Sequence, residues 1–146
     1  ARLAALKMLN RRDYGVRELC ERLVARGFER TNARAAVEQL VSEKLVDDAR
    51  YAEHFVAYHA NRGQGPVRIA HRLREAGVDG EEITAAVDAN GLDSRRRCAE
   101  TRRKRFGEKL PATWAERGRQ ARFLSQRGFS AEQIRAAVGK VMNEDE

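Results

Sequence analysis

The feature that most constrains this chain is a pattern written three times. Leu23-Val-Ala-Arg-Gly27-Phe28 precedes Ala35-Ala36-Val37, Leu73-Arg-Glu-Ala-Gly77-Val78 precedes Ala85-Ala86-Val87, and Leu124-Ser-Gln-Arg-Gly128-Phe129 precedes Ala136-Ala137-Val138. In each copy the Gly stands four residues after the Leu and ten before the Val, and successive glycines are 50 and 51 residues apart. A small residue (Cys20, Ala70 or Ala121) sits seven positions before each Gly. So many matching offsets mark a true repeat, and the chain must fold as three copies of one unit.

Each unit reads as helices. Leu19, Cys20 and Leu23, like Ile69, Ala70 and Leu73, have the spacing of one helical face. The Gly comes where that helix should stop, since Gly tolerates the left-handed backbone that ends helices. A second helix follows, announced by the capping box Ser130-Ala-Glu-Gln133 and its near relative Asp79-Gly-Glu-Glu82. The first copy lacks the box, and Thr31 is its expected cap. The apolar stripes Ala33/Ala36/Val37/Leu40, Ile83/Ala86/Val87 and Ile134/Ala137/Val138/Val141 belong to these helices. A further helix is expected upstream of each pair, over roughly 3–12, 49–61 and 95–106. Gly65-Pro66 starts the middle helix of the second copy, with Pro at the first helical position; Gly15 takes the matching place in the first. In the third copy the helix should begin at Pro111 and include the lone Trp114.

No segment alternates as a strand does. The expected fold is therefore all-α: three tandem three-helix repeats, at 1–46, 47–94 and 95–146, in an elongated, curved row. Composition agrees, because 35% charged and 6% aromatic residues supply helical surface rather than one large core. Charges interrupt every apolar run beyond 55–61, which excludes a membrane-spanning helix. Ala1-Arg2-Leu3 opens no signal peptide, and the missing initiator Met suggests that the first residues of the reading frame were removed. Two cysteines are too few for a disulfide framework, so a reducing cytosol is expected.

No catalytic motif is present: no phosphate-binding Walker loop, nucleophile elbow, HExxH or CxxC. Gly63-Gln-Gly65 is a lone GxG with no strand before it and reads as a hinge plus helix start. His54 and His59, five apart, lie on different helix faces and make a poor metal pair. Asp47 and Asp48 could suggest an acid/base pair near His54, but acidic residues before a helix are ordinary partners of its dipole. Cys98 stands among Arg95, Arg96, Arg97, Arg102 and Arg103, which would favour a thiolate; a buried place on the apolar face is the plainer reading, and Cys20 belongs to the core. No metal and no cofactor is expected.

The live signal is charge. The net charge is +7, carried as +4 over 1–46, −4 over 47–94 and +7 over 95–146. Such a basic excess favours polyanionic partners. The candidate contact residues are Arg95, Arg96, Arg97, Arg102, Arg103, Lys104 and Arg105 on one helix, and Arg117, Arg119, Arg122 and Arg127 on the next. A solubilising surface is the alternative. Seven cations within eleven positions cannot share one helical face, so Arg102 and Arg103 are expected to point to solvent. Base reading by helix-turn-helix modules needs polar or basic residues at the recognition helix start. Arg30, Asn32 and Arg34 would serve, but Gly80, Glu81 and Glu82 would repel phosphates, and Ala131, Glu132 and Gln133 are weak.

Three stretches then converge on a known family. Asp47-Asp48-Ala49-Arg50-Tyr51-Ala52 with Phe55-Val56, Gly65-Pro66-Val67-Arg68-Ile69, and Arg26-Gly27-Phe28 resemble the signature of the RecX family, bacterial regulatory proteins that modulate the RecA recombinase. The resemblance covers the whole chain and is densest in the first two repeats; Gly15 departs from it, since such proteins often carry Ser there. It implies a non-enzymatic fold of tandem three-helix modules; a cytoplasmic monomer with no membrane partner is the accompanying expectation. It also implies binding in the groove of a RecA–DNA filament, with loss of ATPase, strand-exchange and coprotease activities. DNA, single- or double-stranded, would be met directly or within the filament. The alternative is an autonomous nucleic-acid-binding protein with winged-helix-like or helix-turn-helix modules.

Overall fold

The computed structural model describes residues 1–139. These form nine helices and no strand: α1 (Arg2–Arg11), α2 (Val16–Ala25), α3 (Arg30–Ser42), α4 (Asp48–Asn61), α5 (Pro66–Glu75), α6 (Gly80–Ala89), α7 (Gly91–Phe106), α8 (Trp114–Gln126) and α9 (Ala131–Val138). The all-α expectation holds. Val141, placed above on the last apolar stripe, lies outside the described residues.

The repeated Leu-x-x-x-Gly motif proves to be one turn built three times. Gly27, Gly77 and Gly128 have φ of 102°, 88° and 95°. That left-handed step lets the next N–H reach back to the leucine carbonyl: Phe28 to Leu23 (3.2 Å), Val78 to Leu73 (3.1 Å) and Phe129 to Leu124 (3.2 Å). This is the bond of a Schellman ending, which satisfies helix carbonyls that otherwise have no donor. The three leucines are fully buried. The spacing therefore encodes a helix stop, a chain reversal and a core anchor together.

Two compact units share the chain. One comprises residues 1–54 and 72–86, the other 55–71 and 87 onward, so α4, α5 and α6 each contribute to both. In the first unit α1, α2 and α3 enclose Ala5, Met8, Tyr14, Leu19, Leu23, Ala33, Val37, Leu40 and Val46. In the second, Cys98, Leu124, Phe129, Ile134, Ala137 and Val138 form the core beneath α7, α8 and α9.

Four local expectations change. Thr31 does not cap α3; the N-cap is Glu29, without a side-chain bond, and Thr31 lies inside the first turn. α8 starts at Trp114 rather than Pro111, because the Thr113 hydroxyl accepts from Glu116 N at 3.1 Å and fixes the start there. α7 starts at Gly91, four residues early; Asp93 accepts from Arg96 and Arg97 one turn on and supports the added turn. Cys20 is half-buried and packs against the first core instead of lying within it. The Ser130–Gln133 capping box and the Pro66 start are as expected.

Candidate anion-binding cleft

The signature residues turn out to build turns and helix ends. Asp47 Oδ1 accepts from Ala49 N (2.9 Å) and Arg50 N (3.2 Å) at the start of α4. Asp48 Oδ1 accepts from Val16 N at 2.9 Å, capping α2 from 32 residues away. Gly15, the N-cap of α2, has no side chain to do this, so Asp48 supplies the acceptor that Ser would otherwise offer. Arg50 donates weakly, at 3.4 Å, to the carbonyls of Lys44 and Leu45, beside the left-handed turn at Lys44 (φ 61°). Tyr51 is half-buried, and burial pushes its phenol up. Phe55 stacks on His59, ring centroids 4.2 Å apart. His54 Nδ1 lies 2.9 Å from Asp13 Oδ2, an exposed pair. No group of three or more potential metal-ligating side chains occurs among the described residues.

Gly63-Gln-Gly65-Pro66 is neither hinge nor phosphate cradle. Gly65 N donates to Arg127 O at 2.7 Å and Val67 N to Gly128 O at 2.9 Å, docking this turn backbone-to-backbone on the turn after α8. A Cβ on Gly65 would stand 2.3 Å from the Gly128 carbonyl, so only glycine allows the approach. Arg68 lies against the same glycine: a Cβ on Gly128 would meet the Arg68 Cβ at 2.4 Å.

The basic cluster sorts itself by what each cation touches. Arg95 pairs with Glu132 (3.2 Å), Arg96 with Asp93, and Arg119 with Glu116 (2.8 Å). That last contact, with a further donation from Gln120 Nε2, holds the Glu116 carboxyl down at about 2. Arg102 corrects its expectation outright. It is 2% exposed and donates to Gly107 O (2.9 Å), Glu108 O (3.3 Å), Lys109 O (3.2 Å) and Gln120 Oε1 (3.2 Å). It ties the segment that follows α7 back onto the helix and is not available to a partner. Arg117 is also buried, donating to Gly139 O. Arg103 and Arg122 stay exposed, with no ion pair among the described residues. Cys98 is fully buried and its thiol is pushed up to about 12 by desolvation, which removes the thiolate reading.

The remaining cations converge. Arg62, Arg97, Lys104, Arg105 and Arg127 line one open cleft of about 420 Å³ with Asn61, Gly63, Thr101, Phe123 and a single carboxylate, Glu100. Arg97 ties its walls together: it bonds Asp93 on its own helix and reaches Ala60 O (3.3 Å) and Asn61 Oδ1 at the end of α4. Arg127 Nε donates to Gly63 O at 3.2 Å. Arg62, Lys104, Arg105 and Arg127 have no carboxylate partner among the described residues. One ring, Phe123, lies in the lining, and a second, Tyr58, stands outside it under Arg62. The Arg62 guanidinium stacks 4.3 Å from the Tyr58 ring centroid, and those of Arg105 and Arg127 each lie 5.7 Å from that of Phe123. Arg62 escaped sequence reasoning because it sits in the acidic third; its spacing of four from Tyr58 was the available signal. The lining holds no His, Cys or Ser, and the Thr101 hydroxyl is spent on Arg97 O. The cations make the cleft a candidate site for an anion.

With this geometry in place, comparison with known proteins is decisive. Residues 47–87 match the model of RecX's second three-helix domain, and residues 93–138 that of its third. The chain belongs to the RecX family. It is 41% identical over 143 residues to the Regulatory protein RecX of Halorhodospira halophila, covering 98% of this chain and 89% of that one. It is also 41% identical to the Regulatory protein RecX of Stenotrophomonas maltophilia, over 92% of this chain and 82% of the relative. The crystal structure of RecX from Lactobacillus salivarius superposes with a TM-score of 0.80 at 20% identity, covering 94% of this chain and 91% of that one, a likeness of fold. No helix among the described residues is long and apolar enough to cross a membrane.

Proposed function

We propose that this RecX-family protein regulates RecA: it binds the RecA–DNA filament in its helical groove and suppresses ATP hydrolysis, strand exchange and coprotease activity. It acts as a cytoplasmic, non-enzymatic monomer, with the modules at 1–46, 47–94 and 95–146 as successive contact units. Family membership over nearly the whole chain is the observation that carries this reading. Two features support it. Four of the five cleft cations, Arg62, Lys104, Arg105 and Arg127, have no carboxylate partner among the described residues, so an anionic surface can complete them at little desolvation cost. Autonomous base reading is disfavoured, since α6 opens on Glu81 and Glu82 and Arg30 of α3 is engaged by Glu21.

ATP hydrolysis by the cognate recombinase on single-stranded DNA, titrated with this protein, tests the proposal. Inhibition is expected below one protein per recombinase subunit, because a groove binder need not match every subunit. An unchanged rate at equimolar protein would overturn it.

A further inference from the structure

We infer that Lys104 is a self-acylating lysine: its surroundings hold an acyl phosphate by the phosphate group and deliver the acyl carbon to the Lys104 amine, with no other protein present. This goes beyond the regulatory reading, because the reaction belongs to the free chain. The lysines among the described residues are Lys7, Lys44, Lys104 and Lys109, and all are exposed, so exposure sets none of them apart. Surroundings do. Lys104 alone lines a cleft with Arg62, Arg105 and Arg127, three guanidinium groups that have no carboxylate partner among the described residues. Lys44 instead lines a hollow with Asp47, Asp48, Asp79 and Glu82, which repel an anionic donor.

In an acyl phosphate, a mixed anhydride, the phosphate is both the handle and the leaving group. Guanidinium forks suit its oxygens. Two of these forks are steadied by the protein itself. Arg105 and Arg127 each lie 5.7 Å from the Phe123 ring centroid, and Arg127 Nε donates to Gly63 O at 3.2 Å. Fixed cations that meet the charge of a departing phosphate lower the barrier to its loss. Glu100, the one carboxylate of the lining, stands a helical turn before Lys104 on the same face. The amine, once its ammonium proton has passed to solvent, forms the N–C bond to the acyl carbon. The bond from that carbon to the phosphate oxygen breaks, and phosphate leaves with the electron pair. Glu100 accepts the proton that the nitrogen then loses. Nothing is oxidised or reduced. The product is an amide, so the cleft loses one positive charge.

Acetyl phosphate incubated with the whole chain at mildly alkaline pH, followed over time by peptide mass spectrometry, tests the site. Lys104 should be acetylated about tenfold or more faster than Lys7, Lys44 or Lys109, a small part of what holding a reactant in place can give. Its rate should saturate with donor, and inorganic phosphate should slow Lys104 while leaving the other three unchanged. The acetyl ester of N-hydroxysuccinimide, which carries no phosphate, should show no preference for Lys104. Arg105→Gln with Arg127→Gln should bring Lys104 down to the rate of the other lysines. Glu100→Gln should lower the saturating rate about tenfold without raising the half-saturating donor concentration. The wild-type comparisons keep the test decisive if a variant fails to fold in a thermal melt. Equal rates at the four lysines, no competition by phosphate, or the same preference with the ester would each overturn the inference. So would an unchanged Lys104 rate in the folded arginine pair or an unchanged saturating rate in folded Glu100→Gln.

Discussion

Arg102 offers the sharpest test of how this chain is held together, because sequence and structure assign it opposite roles. Its guanidinium is buried with no carboxylate beside it and is satisfied entirely by three backbone carbonyls and the Gln120 amide. Truncation to Ala removes these bonds unequally. Gly107, Glu108 and Lys109 are exposed, so their carbonyls can turn to water; Gln120 is 3% exposed and cannot. Losing a charge-assisted bond to a buried group costs about 1.5–3 kcal/mol. The two lost stem methylenes add about 1.6 kcal/mol of apolar burial. Relief from burying a charge offsets part of this, leaving a net loss of about 3 kcal/mol. At about 2–4 °C per kcal/mol the melting midpoint should fall by roughly 6–12 °C. Arg102→Leu keeps the stem and buries no charge, and should cost about half as much. The single Trp114 lies in the same unit, so its fluorescence during urea unfolding reports the event. The neighbouring Arg103→Ala, at an exposed site, should stay within about 0.5 kcal/mol of wild type. If Arg102→Ala matched Arg103→Ala at an unchanged denaturant slope, the buried fork would not be what secures the segment after α7.

Three further outcomes are expected. Gly65→Ala forces a Cβ to within 2.3 Å of the Gly128 backbone and should cost about 3 kcal/mol or more in unfolding free energy, whereas Gly27→Ala meets open space and only the strain of φ +102°, about 1–2 kcal/mol. Similar losses from the two would show that the turns at 65 and 128 do not depend on close docking. Cys98, with its thiol pushed up to about 12, should resist alkylation at pH 8 until the protein unfolds, while half-buried Cys20 reacts sooner; equal native rates would contradict the packing of the second core. Glu116 titrates at about 2 instead of 4.5, so its contribution to stability is complete above 4.5 and disappears as pH falls toward 2. Carboxyl NMR should find it ionised at pH 3.5, and an ordinary midpoint would show that the Arg119 fork does not persist in solution.

What was legible in the sequence obeys local rules. The Leu-x-x-x-Gly endings, the Ser130 capping box and the Pro66 start each depend on residues within one turn of one another, so their spacing alone carries them. The pairs of Asp93 with Arg96 and Arg97, and of Glu116 with Arg119, are likewise three or four apart and could have been read in advance. Partners remote in sequence could not. Asp48 caps a helix that begins 32 residues earlier, and Glu132 neutralises Arg95 across 37. Nothing in the text of either segment marks the other.

The same distinction explains why a cluster of cations is a poor map of its own function. Along α7 charge is nearly continuous, yet position on the helix separates four fates: Arg95 and Arg96 are neutralised, Arg97 braces the cleft walls, Arg102 ties down the segment after the helix, and Lys104 and Arg105 have no carboxylate partner among the described residues. Neutralised surface cations contribute little to attracting a partner, since their field is cancelled within a few ångströms and solvent screens the rest. The cations that can act are those the fold leaves uncompensated and brings together. They come from three segments, the end of α4, the last turn of α7 and the end of α8, assembled by the docking of the Gly63–Pro66 turn on Arg127 and Gly128. A cleft made this way inherits its geometry from two glycine turns, so the glycines at 65 and 128 shape it without lending it a side chain.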